Sequence, residues 1–502
     1  MIVIFEKRIL NQFTLLLIGL LVIVCFTSSC ILSVGKCRTI NPLQFGLNDA
    51  ETGEERYYIL QRTHKEACEI GARVSYAGIK RIELTIPDDA KSIPLTWQTD
   101  FAGVELVVLN KKKNLTLFSM ERTAKEIIIS KQSVCRGKFW GIKELRCGNK
   151  LLIIEDKIPW VKNRKGHNYG AIRRDILFLK HGKAQNESIQ PYSTDVSAPV
   201  TKYYDIDNNK KIIENLHFIR DSKSQYITKL VSITGENNVT ICNIIIDTPP
   251  SEMSGDRIIV INNSANVLMK DISINGTYSQ VDKYGYGISM DNVWNTRFIR
   301  IKARANWGVF GNNNINTVMI DDSDINRFDI HCYGKDVYCK NTIFRDLYNQ
   351  LSSFYGTLQF EGCSFQGFVP VLFEPSYAAY THFELVFKDC AINVDSRRPY
   401  LVMAGRIEIS EDAREEINEV KWPNVKMSNV VISADKPVKD YSIFYVSGNS
   451  VDSVGGIDYI EMNNISFKGN IRQWLFSNKR VNTTNNIKIN IKSSEISKLI
   501  IK

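Results

Sequence analysis

No spacing of Cys or His in this chain fits a metal site, and no nucleic-acid recognition module is visible. The Leu-x-x-Leu-x-Leu frame of leucine-rich repeats is missing as well, which removes the commonest architecture with a period of 20 to 29 residues. The apolar run from Phe13 to Phe26 is too short to span a bilayer comfortably. Eleven cysteines would suggest disulfides in an exported protein. Five of them, Cys242, Cys332, Cys339, Cys363 and Cys390, lie in or beside strand-like segments, where a free Cys behaves as a small buried hydrophobe. Stacked free cysteines are therefore expected, and Cys135 with Cys147 is the pair to test for a bridge.

What the chain does have is a repeat. A polar residue followed by alternating β-branched or aromatic positions recurs at Asn215, Asn243, Asp271, Arg300, Asp322, Asn341, Gly362 and Asp389, at spacings of 28, 28, 29, 22, 19, 21 and 27 residues. Weaker copies begin at Asn429 and Asn464. Alternation over four to six residues with Asn, Asp and Gly at the corners describes strands, and a fixed period describes a solenoid whose units bury their apolar faces only against neighbours. A right-handed parallel β-helix fits best, in the all-β class, with coils stacked about 4.8 Å apart.

Between Tyr286 and Thr317 a local likeness at 21 residues aligns Tyr286-Gly287-Ile288 with Trp307-Gly308-Val309. On that offset Asp329 lies over Gly308 and Gly287, and His331 over Phe310 and Ser289. The period of two turns Ile241, Ile272, Val309, Phe328, Ile330 and Phe360 inward, and Arg327, Asp329, His331 and Tyr333 outward. Tyr286 shares the inward parity. Helical spacing over residues 56 to 71 predicts a helix capping the open end of the solenoid. Ser410 followed by acids predicts a short inserted helix. The expected segments are a signal peptide at 1–30, a linker at 31–55, cap and first coils at 56–200, the main β-helix at 201–480, and a C-terminal cap or tail at 481–502.

The run Trp307-Gly308, Asn312-Asn313-Asn314 and Arg327-Phe328-Asp329-Ile330-His331 resembles right-handed β-helix proteins of the pectin-lyase-like superfamily, particularly bacterial surface lipoproteins and phage tailspike-like proteins. The resemblance spans residues 56 to 470. It implies the fold and leaves the reaction open, because that superfamily includes hydrolases, lyases, epimerases and adhesive members. The polygalacturonase set is incomplete here: Asp321-Asp322 is present, Arg300-Ile301-Lys302 precedes it, and Gly-His-Gly is absent. The Trp-x-Asp-His element of pectate lyases is also absent.

Lys7 and Arg8 before the apolar run, and Thr27-Ser28-Ser29-Cys30 after it, resemble a lipoprotein signal, with Thr27 in place of the usual aliphatic residue. Export is expected, with lipidation at Cys30 tethering the protein to a membrane at the cell envelope or outer surface. An uncleaved anchor or an ordinary signal peptide is the alternative.

The net charge of +10, with cations gathered between Lys157 and Lys183, admits an anionic polysaccharide as partner, although a solvated basic face explains the same residues. The short coils around residues 284 to 375 carry the candidate chemistry. Asp329 and Glu374 are the candidate acid and base of a hydrolase, two coils apart. For a lyase, His331 or Tyr333 is the base and Arg327 or Lys335 neutralises the substrate carboxylate. Tyr284, Phe310, Asn312, Asn313, Tyr333 and Lys335 are candidate substrate contacts. No cofactor is expected, calcium remaining open. Polysaccharide cleavage by hydrolysis or β-elimination is the preferred function, ahead of carbohydrate binding or adhesion without turnover and of a purely structural surface role.

Overall fold

The computed structural model describes residues 38–130, 133, 138–161, 171–187, 200–226, 228–248, 257–276, 286–303, 308–345, 348–352, 354–367, 369–373, 382–404, 422–446, 457–477 and 499–500. The expected signal segment, Cys30, the predicted helix at Ser410, Cys135, Tyr284 and Glu374 lie outside them.

Parallel pairing runs from Arg81–Thr85 through to Ile460–Ser477, and each coil contributes to three faces. One coil shows the order. Tyr286 to Asp291 lies on the first face, Trp294 to Ile299 on the second and Lys302–Ala303 on the third, after which Gly308 returns to the first face beside Tyr286. Inward positions form one continuous core, in which Ile241, Ile272, Ile288, Phe310, Phe328, Ile330 and Phe360 are all buried.

The polar residue opening each sequence repeat is the corner between the second and third faces. Asn215, Asn243, Asp271, Arg300, Asp322, Asn341, Asp389, Asn429 and Asn464 all have φ between 49° and 63°, a left-handed conformation that Asn and Asp tolerate better than other non-glycine residues. Their side chains bond along the stack: Asn243 Nδ2 donates to Asn215 Oδ1 at 3.0 Å, Asn341 to Asp322 at 3.1 Å, and Asn464 to Asn429 at 2.8 Å. The period seen in the sequence is thus the pitch of these ladders.

The Gly53–Glu69 helix closes the N-terminal end. It starts at a capping box in which Glu55 N donates to Thr52 Oγ1 at 3.1 Å and the Glu55 carboxylate receives Thr52 N at 3.0 Å. Tyr57, Leu60 and Ala67 bury its inner side against the first coils. Cys339, Cys363 and Cys390 are free and buried in the stack, as expected, and Cys147 is an exposed free thiol.

One element departs from the single solenoid expected. Lys125–Ile127, Asn149–Val161, Ala171–Lys180, Lys183–Ala184 and Val200–Ile206 form a separate antiparallel sheet, inserted between the coil strands Leu115–Glu121 and Lys211–Arg220. It has its own small core, including Leu152, Leu177 and Leu179. It docks on the β-helix through Phe178, whose ring stacks on Trp294 with centroids 5.1 Å apart. Strands of this sheet alternate just as coil strands do, so periodicity alone does not separate them.

Candidate functional site

Pairing on the first face sets Ser289, Gly311, Asp329, Gln350 and Leu372 in one row across successive coils. The first step of that row is 22 residues, not the 21 of the local sequence likeness. A register error of one residue exchanges inside for outside along a strand. Phe310, expected at the substrate face, is consequently in the core between Ile288 and Phe328, and Asp329 sits over Gly311, not Gly308.

The space left by the missing side chains at Gly308 and Gly311 is not open. The ring of Tyr286 fills it: a Cβ on Gly311 would lie 2.5 Å from Tyr286 Cγ, and one on Gly308 would lie 3.0 Å from Tyr286 Cε1 and 3.4 Å from Arg327 Cγ. Tyr286, expected in the core, is buried but sends its hydroxyl to the functional row. That hydroxyl donates to Asp329 Oδ2 at 2.5 Å and lies 2.9 Å from His331 Nε2. A phenol has one hydrogen. With it given to Asp329, His331 Nε2 is the donor to the phenol oxygen.

Behind this contact Arg327 grips Asp329 with two bonds, Nε to Oδ1 at 2.8 Å and Nη2 to Oδ2, and donates from Nη2 to Gln350 Oε1 at 3.0 Å. The guanidinium carbon lies 4.7 Å from the centroid of the Tyr348 ring. Arg327 and Asp329, expected at the surface, are both 0% exposed, and His331 is 26% exposed. They keep the outward parity predicted for them; Tyr286, Tyr348 and Gln350 bury them from the outside. Burial alone would raise the Asp329 carboxyl, but the Arg327 guanidinium and the nearby His331 ring, 3.7 Å away, outweigh it and hold the carboxyl below the usual range. Burial likewise opposes the charge on Arg327, and Asp329 overcomes it. The result is a buried ionised carboxylate aimed, through a tyrosine hydroxyl, at a histidine that reaches solvent.

The inserted sheet borders this patch. Glu187, just beyond its short Lys183–Ala184 strand, pairs with Lys335 at 2.8 Å, and Asn316 Nδ2 donates to the Glu187 carbonyl at 2.8 Å. Arg174 lies 3.2 Å from Glu155 within the sheet and 3.7 Å from Asp291 on the β-helix. Burial raises the Asp291 carboxyl, in part offset by Arg174 and by the Asn314 amide at 3.3 Å. Asn313, opposite Asp291 on the next coil, is partly exposed.

Of the residues expected at the site, Arg327, Asp329 and His331 come together, Lys335 lies further along the same strand, Asn313 is on the preceding coil opposite Cys332, and Phe310 is withdrawn into the core. The side chains of Val309, Asn312 and Tyr333 are outside the described ones, as are residues 162–170 of the basic segment. Sequence reading missed Tyr286, Tyr348 and Gln350. The signal available was the pair Gly308 and Gly311, which frees space for a ring only if a neighbouring coil supplies one.

No family model matches the chain, and no curated protein is similar to it in sequence. Among solved structures it is similar to the tailspike gp61 of Pseudomonas phage phi297, at 8% identity over 92% of this chain and 82% of that one, with a TM-score of 0.54. The gp54 tailspike of Acinetobacter baumannii bacteriophage AP22, solved with a capsular saccharide, aligns at 11% identity over 90% and 79%, with a TM-score of 0.49. The tailspike gp49 of Pseudomonas phage LKA1 aligns at 11% identity over 88% and 83%, with a TM-score of 0.44. The likeness to the first is one of fold: the chain is a right-handed parallel β-helix.

Proposed function

We propose that this chain cleaves a polysaccharide at the outward patch of the first face, with His331 as the group that exchanges a proton with the sugar. The observation that carries the reading is the line Arg327, Asp329, Tyr286, His331, three buried groups that end on a partly exposed histidine. Burying an ion pair is costly, and stability gives little reason to keep one. A fixed carboxylate behind a hydrogen-bonded histidine favours the protonated imidazole that forms when the ring accepts a proton.

In this reading Asp329 is a positioning residue. Its depressed carboxyl carries no proton near neutral pH, which weakens the Asp329 and Glu374 pair as the acid and base of a hydrolase. Arg327 is spent on Asp329 and is not available to a substrate carboxylate. β-Elimination needs one base and one neutralising cation: His331 is the base, and Lys335 neutralises the substrate carboxylate by exchanging its exposed partner Glu187 for it, an exchange closed to Arg327 because Asp329 is buried. Export, and attachment through a lipid on Cys30, complete the proposal; their support is the basic, apolar and small-residue order of residues 7 to 30. Loss of labelled palmitate from a Cys30→Ser variant, with the wild type labelled, tests the anchor.

The enzymatic test is a panel of acidic and neutral glycans assayed for unsaturated uronate absorbance and for reducing ends. New absorbance with the wild type, lowered on the order of 10²- to 10⁴-fold in His331→Ala, supports the reading. Reducing ends without absorbance turn it to hydrolysis. Binding with neither product identifies a carbohydrate-binding protein and overturns it.

A further inference from the structure

A second polar cavity lies across the corner from this patch, on the third face. It is a half-open hollow of about 360 Å³ lined by Ser273, Ile274, Asn275, Gly276, Lys302, Ala303 and Asp324. Ser273, Lys302 and Asp324 stand in one row on three successive coils. Three residues along the chain from Asp324 is Arg327 of the candidate site.

The charges around the cavity are matched except for one. Arg345 holds Asp324 with two bonds, Nε to Oδ1 at 2.5 Å and Nη2 to Oδ2 at 3.0 Å. Asp247, next to the cavity, takes the Asn275 amide at 2.8 Å and His217 Nε2 at 2.6 Å. Ser273 Oγ donates to Asn275 Oδ1 at 3.2 Å. Lys302 is exposed and has no ion pair or hydrogen bond among the described residues. An ammonium with its donors unused, at the wall of a cavity the size of one or two sugar rings and surrounded by polar groups, suits a sugar bearing an anionic group.

We infer that this cavity is a subsite for an acidic sugar residue, held at its carboxylate or sulfate by Lys302, on a glycan that passes over the corner to His331. The inference rests on the proposed polysaccharide activity and names its substrate class. The cation that selects the chain and the histidine that acts on it then sit on different faces of the solenoid.

Calorimetric titration of the full chain with a hexamer of galacturonic acid, a chondroitin sulfate hexasaccharide and neutral maltohexaose tests it. At least one acidic probe binds, the neutral one does not, and Lys302→Ala weakens the acidic probe about 10- to 100-fold, as for a lost charge-assisted hydrogen bond. Lys302→Arg retains most of the affinity, and Lys270→Ala, at a partly exposed lysine beside Asp271 on the second face, leaves it unchanged. On a substrate that is turned over, Lys302→Ala raises KM and spares kcat. His331→Ala does the reverse, so Lys302-dependent binding without turnover leaves the subsite standing while the catalytic reading falls. No binding of either acidic probe, equal binding of maltohexaose, undiminished binding to Lys302→Ala, or competition by inorganic sulfate alone as effective as by the hexamers would overturn the inference.

Discussion

The corner column from Asn215 to Asn464 and the first-face row from Ser289 to Gln350 are built by the same stacking and do opposite things. In the corner, nearly every coil presents Asn, Asp or Gly in the same left-handed conformation, and neighbouring side chains satisfy one another along the axis. In the row, successive coils present Ser289, Gly311, Asp329 and Gln350. Nothing there can ladder, so unlike groups combine: a glycine admits a tyrosine ring, the ring covers an ion pair, and the ion pair supports a histidine. Uniform stacking uses up hydrogen-bonding capacity, and broken stacking concentrates it.

The largest effect is expected from the shared core, which both regions need. Ile330→Asp puts a carboxylate where the side chain is fully buried among apolar neighbours. Destabilisation above about 4 kcal/mol follows, read as loss of the cooperative thermal transition.

Next comes the ion pair. Arg327→Met leaves Asp329 buried and unpaired and should cost about 3–5 kcal/mol, whereas Arg327→Met with Asp329→Leu should recover much of that loss in chemical denaturation. The pH dependence has a definite sign. Because the folded Asp329 carboxyl lies below its ordinary value of 3.8, its stabilisation is complete above that value and is lost as pH falls through the lower folded one. Asp329→Asn should therefore flatten the fall in Tm on acidification below about pH 4 relative to the wild type.

Smaller effects separate the two kinds of stacking. Tyr286→Phe keeps the ring over Gly308 and Gly311 and removes only the hydroxyl that joins Asp329 to His331, for about 1–3 kcal/mol and a clear loss of turnover. At the corner, Asn243→Ala removes one rung and forces alanine to a φ of 55°, for about 1–2 kcal/mol, and leaves turnover unchanged. Asn243→Gly should be milder, because glycine adopts that conformation without strain. Equal effects of the Tyr286 and Asn243 substitutions on turnover would erase the distinction between row and ladder.

The corner was legible in the sequence because each of its residues faces the same local demand, a turn with positive φ, and Asn and Asp meet it repeatedly. The alternation around Phe328 and Ile330 was legible for a similar reason. The row was not, because its register depends on coil length. A 22-residue step was already present between Arg300 and Asp322, yet the likeness of Tyr286-Gly287-Ile288 to Trp307-Gly308-Val309 pointed to 21, and one residue moved Phe310 across the wall. Burial of Asp329 was hidden for another reason: parity tells which way a side chain leaves the strand, and says nothing of Tyr286, Tyr348 and Gln350 arriving from other coils to cover it. The inserted sheet escaped because its strands carry the same alternation as the coils.

The central claim is that the row makes one site whose working end is His331. Turnover of the glycan panel by His331→Gln, with binding and thermal unfolding measured on the same preparation, tests it most directly. The account predicts folding and binding close to wild type with turnover reduced on the order of 10²-fold or more; turnover equal to the wild type on a substrate the protein cleaves would contradict it.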